Sequence, residues 1–426
     1  MSQFATTYDP NSASELPVAL PSAPLVVLTE SEVLQPPLTR RGTGPGIILV
    51  LPHLEDLNLR KTGAKPLDPE PIQKWAEEGF AVAGITPSSA GWSFEQSLKR
   101  TTDALLDLKE LDTRDKFAVV VYCPELVPSV ISAVSADPRI VALVIYASSP
   151  FVQSASIPTL VHLPRGSKPA VSSSSVDFHV YPCASPRFVL PQTTEYDPGS
   201  AALAHSRSLV FLRKWLGGPV FDLEAIWDEH TYFEFEDRSV AKTMGTMVAE
   251  PYVNHVPTVN IVISGALQLN SDGPQMTGGV RRENLTAFYR DHFIFANPPD
   301  TAMQVVSRTV GPDRVIDEFI FSFTHDRIVD ALLPGVPPSG KKLTIPMIAV
   351  VNIRGDRLYN EHIWWDQATA LRQAGVLPSH VPYPTPEGDW SLRLPVAGPE
   401  SAAMLLDEAN GKSNLMFEDD WGLQQV

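Results

Sequence analysis

The sequence predicts two domains of different fold class, an α/β domain with a parallel sheet followed by an α+β domain. Short apolar runs such as residues 46–52 (GIILVLP) and 117–123 (FAVVVYC) alternate with helical patterns up to about residue 218. Strands that alternate with helices are typical of a parallel, doubly wound sheet. After residue 218 helical patterns come first and long strand patterns follow, among them residues 314–328 (RVIDEFIFSFTHDRI). This order indicates an α+β domain.

The predicted domain boundaries follow changes in composition and period. Residues 1–40 are rich in proline and serine and are predicted to form an extended lead-in. The α/β domain spans residues 41–218 and ends at a pair of glycines, which is a helix stop signal. The α+β domain spans residues 219–385, and residues 386–426 are predicted to form a partly helical C-terminal arm.

Composition places the chain among globular proteins, since 43% of its residues are hydrophobic and 19% are charged. The net charge of −16 and the lack of a Lys/Arg-rich stripe argue against nucleic-acid or membrane partners. No apolar run approaches the roughly 18 residues that span a bilayer, and the first residues lack a signal-peptide pattern. Cys123 and Cys183 form no disulfide framework, and no Cys/His cluster has zinc spacing. We therefore expect a reduced, cytoplasmic protein without a metal site.

Four segments of the α/β domain carry a family resemblance: GIILVLP, KWAEEGFAVAGITP, FAVVVYC and the run from YPCASPRF to FLRKWL. Through them, residues 46–217 resemble the dienelactone hydrolase (carboxymethylenebutenolidase) family of α/β-hydrolases. In that family the nucleophile is a Cys on a sharp, glycine-flanked turn between a strand and a helix. Cys123 stands at this position, but Val and Glu replace the flanking glycines.

The partners of that nucleophile are missing from the matching positions. Pro186 occupies the position of the family His, and residues 164–168 contain no carboxylate where the family Asp lies. The resemblance therefore implies a degenerate catalytic set, because a Cys without a base is a poor nucleophile. A structural or dimer-forming scaffold is the preferred interpretation. The alternative is a Cys123-dependent hydrolase of lactones or esters.

A second resemblance covers residues from about 228 to 385. It depends on the segment MVAEPYVNHVPT, a Pro-Pro-Ser-Gly-Lys turn and a final Asp-Gln…Leu-Arg-Gln-Ala-Gly run. These are similar to the SnoaL-like branch of the NTF2-like superfamily. The resemblance implies a curved antiparallel sheet around an apolar pocket, closed by helices, and a homodimer formed through the sheet. It also implies cofactor-free proton transfer on carbonyl substrates, although other members only bind ligands or assemble.

The resemblance places a catalytic carboxylate at Asp366, at the end of the last family strand. Strand alternation puts His362, Trp364 and Asp366 on one face, which would line the pocket if it points inward. An acid and a His would then share an aromatic-walled site, where desolvation raises a carboxylate pKa. The alternative is that Asp366 caps the helix that begins at Gln367.

Further candidates come from the segment Asn254-His255 and from alternation on two other strands. His255 matches a family motif in which a polar side chain points into the pocket. On the strand over residues 314–326, Asp317 and His325 flank three Phe on one face. The candidate catalytic residues are therefore Asp366, His255, His325 and His362, and the candidate substrate-binding residues are Asn254, Trp364, Asp317, Phe321 and Asn352.

Residues 259–275 (VNIVISGALQLNSDGPQ) interrupt the pattern expected from the resemblance. The segment separates Pro257-Thr258 from the Met-Thr-Gly-Gly run that begins at Met276. One interpretation is a lid over the pocket, because long loops in compact domains are often functional. The other is a translated intron, since the segment is in frame and its ends are compatible with splice sites.

Three functions of different class follow from these observations. The first is a cofactor-free cyclase, isomerase or lyase that acts on a small apolar polyketide or terpenoid intermediate in the second domain, with a pericyclic cyclase as a variant. The two-domain layout resembles fungal proteins of secondary metabolism, which favours this function. The second is hydrolysis through Cys123. The third is a ligand-binding or assembly protein without turnover.

Overall fold

The computed structural model describes residues 7–61, 63, 65–87, 92–149, 156–167, 175–261, 274–386, 388–418 and 421–425. By contact the chain divides into two units. The α/β unit comprises Leu20–Asp222 and Arg354–Arg357, and the α+β unit comprises Met1–Ala19, Leu223–Ile353 and Leu358–Val426. In the described ranges, no helix is both long and apolar enough to cross a membrane.

The α/β unit is built on one eight-stranded sheet. Its strands are β1 (Val26–Thr29), β2 (Glu32–Gln35), β3 (Gly44–Val50), β4 (Ala81–Ile85), β5 (Leu111–Val121), β6 (Ile140–Tyr146), β7 (Thr159–Leu163) and β8 (Val176–Val180). Its helices are α1 (Pro71–Glu77), α2 (Phe94–Asp107), α3 (Val127–Val134) and α4 (Pro198–Leu216). The strand order is β1-β2-β4-β3-β5-β6-β7-β8, and all pairs from β4 to β8 are parallel. The prediction of a parallel-rich sheet is confirmed, whereas the hydrolase resemblance stays a prediction.

Helices cover both faces of this sheet. Val50 belongs to a buried cluster that includes residues of α2 and α3, whereas Leu49 belongs to a second cluster with Trp75 of α1 and Leu212 of α4. Successive strand residues point to opposite faces, so a strand buried on both faces is apolar throughout. Strands β1 and β2 extend the sheet by antiparallel pairing, so the N-terminal region differs from the predicted lead-in over residues 1–40.

The α+β unit contains five helices and nine strands in the described ranges. The helices are α5 (Leu223–Phe235), α6 (Val240–Gly245), α7 (Arg281–Phe288), α8 (Gln367–Ala374) and α9 (Glu400–Leu406). The strands are β9 (Met247–Ile261), β10 (Pro274–Val280), β11 (Ala302–Val310), β12 (Arg314–Thr324), β13 (Lys342–Arg354), β14 (Arg357–Trp365), β15 (His380–Thr385), β16 (Gly388–Arg393) and β17 (Leu423–Gln425). A π-helical segment, Tyr289–Phe293, continues α7.

Six of these strands form one sheet in the order β10-β9-β14-β13-β12-β11. Neighbouring strands pair antiparallel in β9–β10, β11–β12 and β12–β13, while β14 and β9 are parallel. Register shifts occur between Val305 and Ser307 and between Leu358 and Asn360. Such bulges bend a strand and increase its twist. The predicted succession of helices and then long, mainly antiparallel strands is therefore present in the structure.

The region predicted as a C-terminal arm contains regular structure. Strands β16 and β17 lie in this region and form a small antiparallel sheet with β15, which precedes it. Helix α9 also lies in this region. The interrupting segment 259–275 is described only at its ends, where Ile261 pairs with Pro274. Residues 262–273 lie outside the described residues, so both interpretations of this segment stay predictions.

Candidate functional site

The α+β unit has a cavity lined by residues from its six-stranded sheet and from α5 and α7. The empty space between the lining residues is about 640 Å³ when the part open to solvent is included. The centre of a water molecule can reach about 60 Å³ of this space. Aromatic rings dominate the wall, among them Trp227, Phe288, Phe293, Phe319, Phe321 and Trp365. The polar residues of the wall are Thr231, Glu234, His255, Tyr289, Asn297 and Glu361.

The lining of the cavity follows from strand alternation. Along β14, Glu361, Ile363 and Trp365 face the cavity, since alternate residues share a face. The parallel register of β14 on β9 sets Glu361 beside Val253 and Ile363 beside His255. All five residues line the cavity. One face of this strand pair therefore supplies both a carboxylate and an imidazole to the same space.

Four buried side chains form a cluster at this cavity, which we call the His–Glu cluster: His230, Glu234, Tyr289 and Glu361. His230 and Glu234 are one turn apart on α5, and Nε2 of His230 lies 3.1 Å from Oε1 of Glu234. The same nitrogen lies 3.2 Å from Oε1 of Glu361 and 3.3 Å from the Tyr289 hydroxyl. None of the four is more than 3% exposed. Glu234, Glu361 and Tyr289 line the cavity, whereas His230 lies behind them.

Hydrogen bonding determines which nitrogen of His230 carries a proton. The Thr246 hydroxyl donates to the carbonyl of Thr243 at 2.7 Å, so at 2.6 Å from Nδ1 of His230 it acts as the acceptor. Nε2 then faces two carboxylate oxygens, which a nitrogen lone pair would repel. Burial by itself would lower the pKa of His230, but the charges of Glu234 and Glu361 more than offset this effect and raise the pKa to about 10. His230 is therefore an imidazolium at neutral pH.

Two other members of the cluster, Glu234 and Tyr289, hold protons more firmly than their exposed counterparts. Burial raises the pKa of Glu234, and the charge of Glu361 raises it further while His230 opposes the shift. Burial, together with both carboxylates, keeps the pKa of Tyr289 well above its usual value. The Tyr289 hydroxyl therefore keeps its proton and donates it to Oε1 of Glu361 at 3.3 Å. Two carboxyl groups in different environments can divide the roles of acid and base.

The same atoms have the spacing of a metal site. One ligand atom from each of His230, Glu234 and Glu361 lies within 4.8 Å of the others, and imidazole and carboxylate groups bind zinc and similar ions. A metal bound here would use the lone pair of Nε2 and displace the proton from His230, whose pKa is raised to about 10 when no metal is bound. The cluster can therefore hold either a proton or a metal ion at Nε2.

His255 is the candidate catalytic residue that the structure places at the cavity. It is 5% exposed, and its ring packs edge-on against Phe288 and Trp365 at centroid distances of 5.4 and 5.6 Å. Its Nδ1 lies 2.9 Å from the carbonyl oxygen of Ala331 and must donate to it, which leaves the lone pair on Nε2. Burial lowers the pKa of His255, so the ring is neutral at physiological pH.

The candidates on β12 and directly after it are all buried but divide between two environments. Phe321 lines the cavity. Asp317 lies beyond the lining, where it accepts a hydrogen bond from Nε1 of Trp227 at 2.8 Å and two from Arg308 at 2.7 Å each. Asp317 therefore positions a cavity residue instead of facing the cavity itself. His325 is also outside the lining, and its Nδ1 accepts the backbone N–H of Ser339 at 3.3 Å.

The other candidates lie on the opposite face of the sheet, which corrects the sequence analysis. Trp364 is 48% exposed, and Nε2 of His362 is 2.9 Å from the Tyr252 hydroxyl. Asn254 is the register partner of His362, and Asn352 donates to Oδ1 of Asn360 at 2.6 Å. The reason is that alternation shows which residues share a face but not which face points inward.

Asp366 is exposed and acts as the N-cap of α8, the alternative stated for it above. Its carboxylate accepts hydrogen bonds from the backbone N–H groups of Ala368 and Thr369 at 3.2 and 3.1 Å. These bonds satisfy donors that a helix start leaves without intrahelical partners. Asp366 is not among the residues that line the cavity, so the structure does not place it where the resemblance implied.

Replacing Asp366 with alanine is expected to affect stability and not cavity chemistry. Loss of the cap should lower the free energy of unfolding by about 0.5–2 kcal/mol. Denaturant unfolding measures this effect, and Asp366→Asn is the matched control, because Asn caps helices about as well as Asp. A loss of activity in Asp366→Asn at unchanged stability would restore Asp366 as a catalytic residue.

Cys123 in the α/β unit lies in surroundings that disfavour its thiolate. The residue is 8% exposed, and its thiol donates to a carboxylate oxygen of Glu125 at 3.3 Å. Burial and this carboxylate raise the pKa of Cys123 to about 12. These features argue against Cys123 as a nucleophile.

Comparisons with protein-family models and with curated proteins give no match. Solved structures do match the chain. A protein from Jannaschia sp. CCS1 described as a SnoaL-like polyketide cyclase is 17% identical over 38% of this chain and 100% of its own, with a TM-score of 0.27. IdmH from Streptomyces antibioticus, described as a polyketide cyclase, is 18% identical over 37% and 100%, also at 0.27. A protein with a ketosteroid isomerase-like fold from Catenulispora acidiphila is 13% identical over 37% and 96%, at 0.25. These values are too low to carry an argument about activity, which depends below on the site geometry.

Proposed function

We propose that the α+β unit is an enzyme that transfers protons on a small neutral carbonyl compound, as an isomerase, cyclase or lyase does. The observation that carries this proposal is a buried imidazolium, His230, held between two carboxyl groups that line an aromatic cavity. Perturbed titratable groups in an apolar pocket are typical of acid–base catalysis.

In the proposed reaction, Glu361 is the base and Glu234 is the acid. Glu361 removes a proton from a carbon next to the carbonyl, and the electron pair moves onto the carbonyl oxygen. Glu234, whose pKa is raised, gives its proton to that oxygen, so that a neutral enol forms. In an isomerisation, Glu361 returns its proton at another carbon of the conjugated enol, and the enol O–H gives its proton back to Glu234. In a cyclisation, the enol carbon attacks a second carbonyl, whose oxygen takes the proton from Glu361 while the enol O–H gives its proton back to Glu234. His230 stays protonated and balances the charge of whichever of the two carboxyl groups is ionised.

The wall of the cavity limits the class of substrate. Among the described residues that line it there is no lysine or arginine, whereas two carboxyl groups are present. A carboxylate or phosphate group would enter without a counter-ion and lose its hydration, which is unfavourable. We therefore infer a neutral, mainly apolar substrate, and a polyketide or terpenoid intermediate of secondary metabolism has this character.

The test is hydrogen–deuterium exchange next to a carbonyl, which needs no knowledge of the natural substrate. The full chain is incubated in D₂O with α-tetralone, a neutral bicyclic ketone, and the loss of the α-proton signal is followed by NMR. We expect exchange above the buffer rate, and we expect the same rate in Cys123→Ala, because the thiol takes no part. Exchange that is lost in Cys123→Ala would favour the hydrolase domain.

Two further arms of this experiment separate the alternatives. Dialysis against a chelator is expected to leave the exchange rate unchanged, because the proposed reaction uses a protonated His230 and no metal ion. A rate that falls with the chelator and returns with Zn²⁺ would contradict acid–base catalysis without a metal. The absence of exchange with α-tetralone and with cyclohexenone would count against the proposed function and favour a ligand-binding protein.

A further inference from the structure

Asn297 is a polar residue of the cavity wall whose side-chain nitrogen, Nδ2, lacks a hydrogen-bond partner among the described residues. It follows the π-helical segment, and its backbone N–H donates to the carbonyl of Phe293 at 3.1 Å, which fixes the main chain. The residue is 3% exposed and lines the cavity. Its Nδ2 is buried and makes no hydrogen bond to any of the described residues.

A buried amide without a partner needs an explanation. More than about 90% of buried polar groups in proteins are hydrogen-bonded, because leaving one unpaired is unfavourable by an amount comparable to a lost hydrogen bond. The exceptions are often groups whose partner is a ligand or an ordered water molecule. Asn297 differs in this respect from Thr231, the other small polar residue of the wall, whose hydroxyl donates to backbone carbonyl oxygens.

We propose that the Asn297 amide binds an oxygen atom of the ligand, a carbonyl or hydroxyl group, and so determines how the molecule lies in the cavity. This inference deepens the proposed function and rests on it. An N–H donor suits an oxygen lone pair, and it is the one side-chain amide among the described residues of the wall. The ligand class is therefore a neutral, largely apolar molecule with an oxygen acceptor, oriented at one end by Asn297.

The test compares two probes that differ by one oxygen, α-tetralone and its hydrocarbon analogue tetralin. Equilibrium dialysis of the full chain gives a dissociation constant for each, and the ratio of the two removes the general hydrophobic contribution. Leucine is close in size to asparagine. We expect Asn297→Leu to weaken the binding of α-tetralone about ten-fold relative to the binding of tetralin. Thr231→Val is the matched control and should leave the ratio unchanged, since that hydroxyl already has partners.

Unfolding experiments on Asn297→Leu exclude a merely structural role. An amide without a partner adds nothing to the folded state, so the denaturation midpoint should stay the same or rise. A lowered midpoint would show that Asn297 holds the fold, and Asn297→Ala would then be compared to separate size from polarity. An unchanged ratio, or no binding of α-tetralone to the wild type, would overturn the inference. Because binding is measured without turnover, a changed ratio in a protein that shows no exchange would leave the role of Asn297 intact and reject the proposed reaction.

Discussion

Replacing Glu361 with glutamine is expected to slow proton exchange by about 10²–10⁴-fold, the usual contribution of a general base. Glutamine keeps the size of the side chain and one acceptor oxygen, so the bond from Tyr289 can persist. An amide cannot take a proton from carbon at neutral pH. The exchange rate with α-tetralone, followed by NMR, measures the effect.

A matched variant separates this effect from a general loss of charge. Glu318 lies on the face of β12 opposite to Phe319 and Phe321, where it accepts a hydrogen bond from Ser307 at 3.0 Å. Glu318→Gln removes the same charge from the same sheet and should leave the exchange rate unchanged. If Glu361→Gln exchanged as fast as the wild type, the base would have to be another residue, and His255 with its free Nε2 lone pair would be the first to examine.

The order of the elements is the part of the fold that the sequence made predictable. Continuous apolar runs such as that in β3 are typical of strands buried on both faces, and β3 is buried throughout. On β12 the alternation is equally clear, since Asp317, Phe319, Phe321 and Phe323 are all buried. Patterns of this kind are local and reflect which residues are buried, so the hydrophobic or polar character of each residue is enough to predict them.

The side of β14 that faces the cavity was not predictable in this way. His362 and Trp364 alternate with Glu361, Ile363 and Trp365, and both sets combine a polar residue with aromatic or aliphatic ones. The two faces therefore look alike in the sequence. Which face of β14 points into the cavity depends on its pairing with β9 and on which side of the sheet the helices pack against. Both are contacts between residues far apart in the chain.

The His–Glu cluster was not predictable from the sequence for a related reason. His230 and Glu234 have the i, i+4 spacing that places two side chains on one helix face, and this signal was present in the sequence. The same spacing occurs in solvent-exposed ion pairs, however, and is not specific. The pair becomes part of a buried cluster because Glu361 of β14 and Tyr289, which follows α7, pack against it in the folded protein. These contacts join residues far apart in the sequence. The degenerate Cys123 site, inferred from Pro186 and residues 164–168, stays a prediction.

Replacing His230 with leucine is expected to lower the free energy of unfolding by about 3–5 kcal/mol at neutral pH. The substitution leaves Glu234 and Glu361 buried next to one another without the cation between them. It also removes the donor to Thr246. Urea unfolding of the wild type and the variant measures the difference, and loss of exchange activity should accompany it.

The pH dependence of that difference tests the charge of His230 directly. The folded-state pKa is about 10 and the unfolded value is near 6.5, so folding favours the protonated form. The stabilising contribution is therefore fully present below about pH 6.5 and is lost as the pH rises through about 10. Glu234, Glu361 and Tyr289 are the titratable groups that face the ring, and they remain in both proteins. The difference between wild type and His230→Leu should consequently shrink between pH 6.5 and 10.

A difference that stays constant over this range would mean that His230 gains no proton on folding. Nε2 would then present its lone pair to two carboxylates, an arrangement that repels unless a carboxyl proton or a metal ion lies between them. A chelator distinguishes these two cases. If a metal ion is bound, the chelator should abolish the difference in unfolding free energy between the wild type and His230→Leu. If a carboxyl proton is shared instead, the chelator should leave that difference unchanged. The pH series thus tests whether His230, which lies behind the two carboxyl groups of the cavity wall, carries the positive charge on which the proposed chemistry depends.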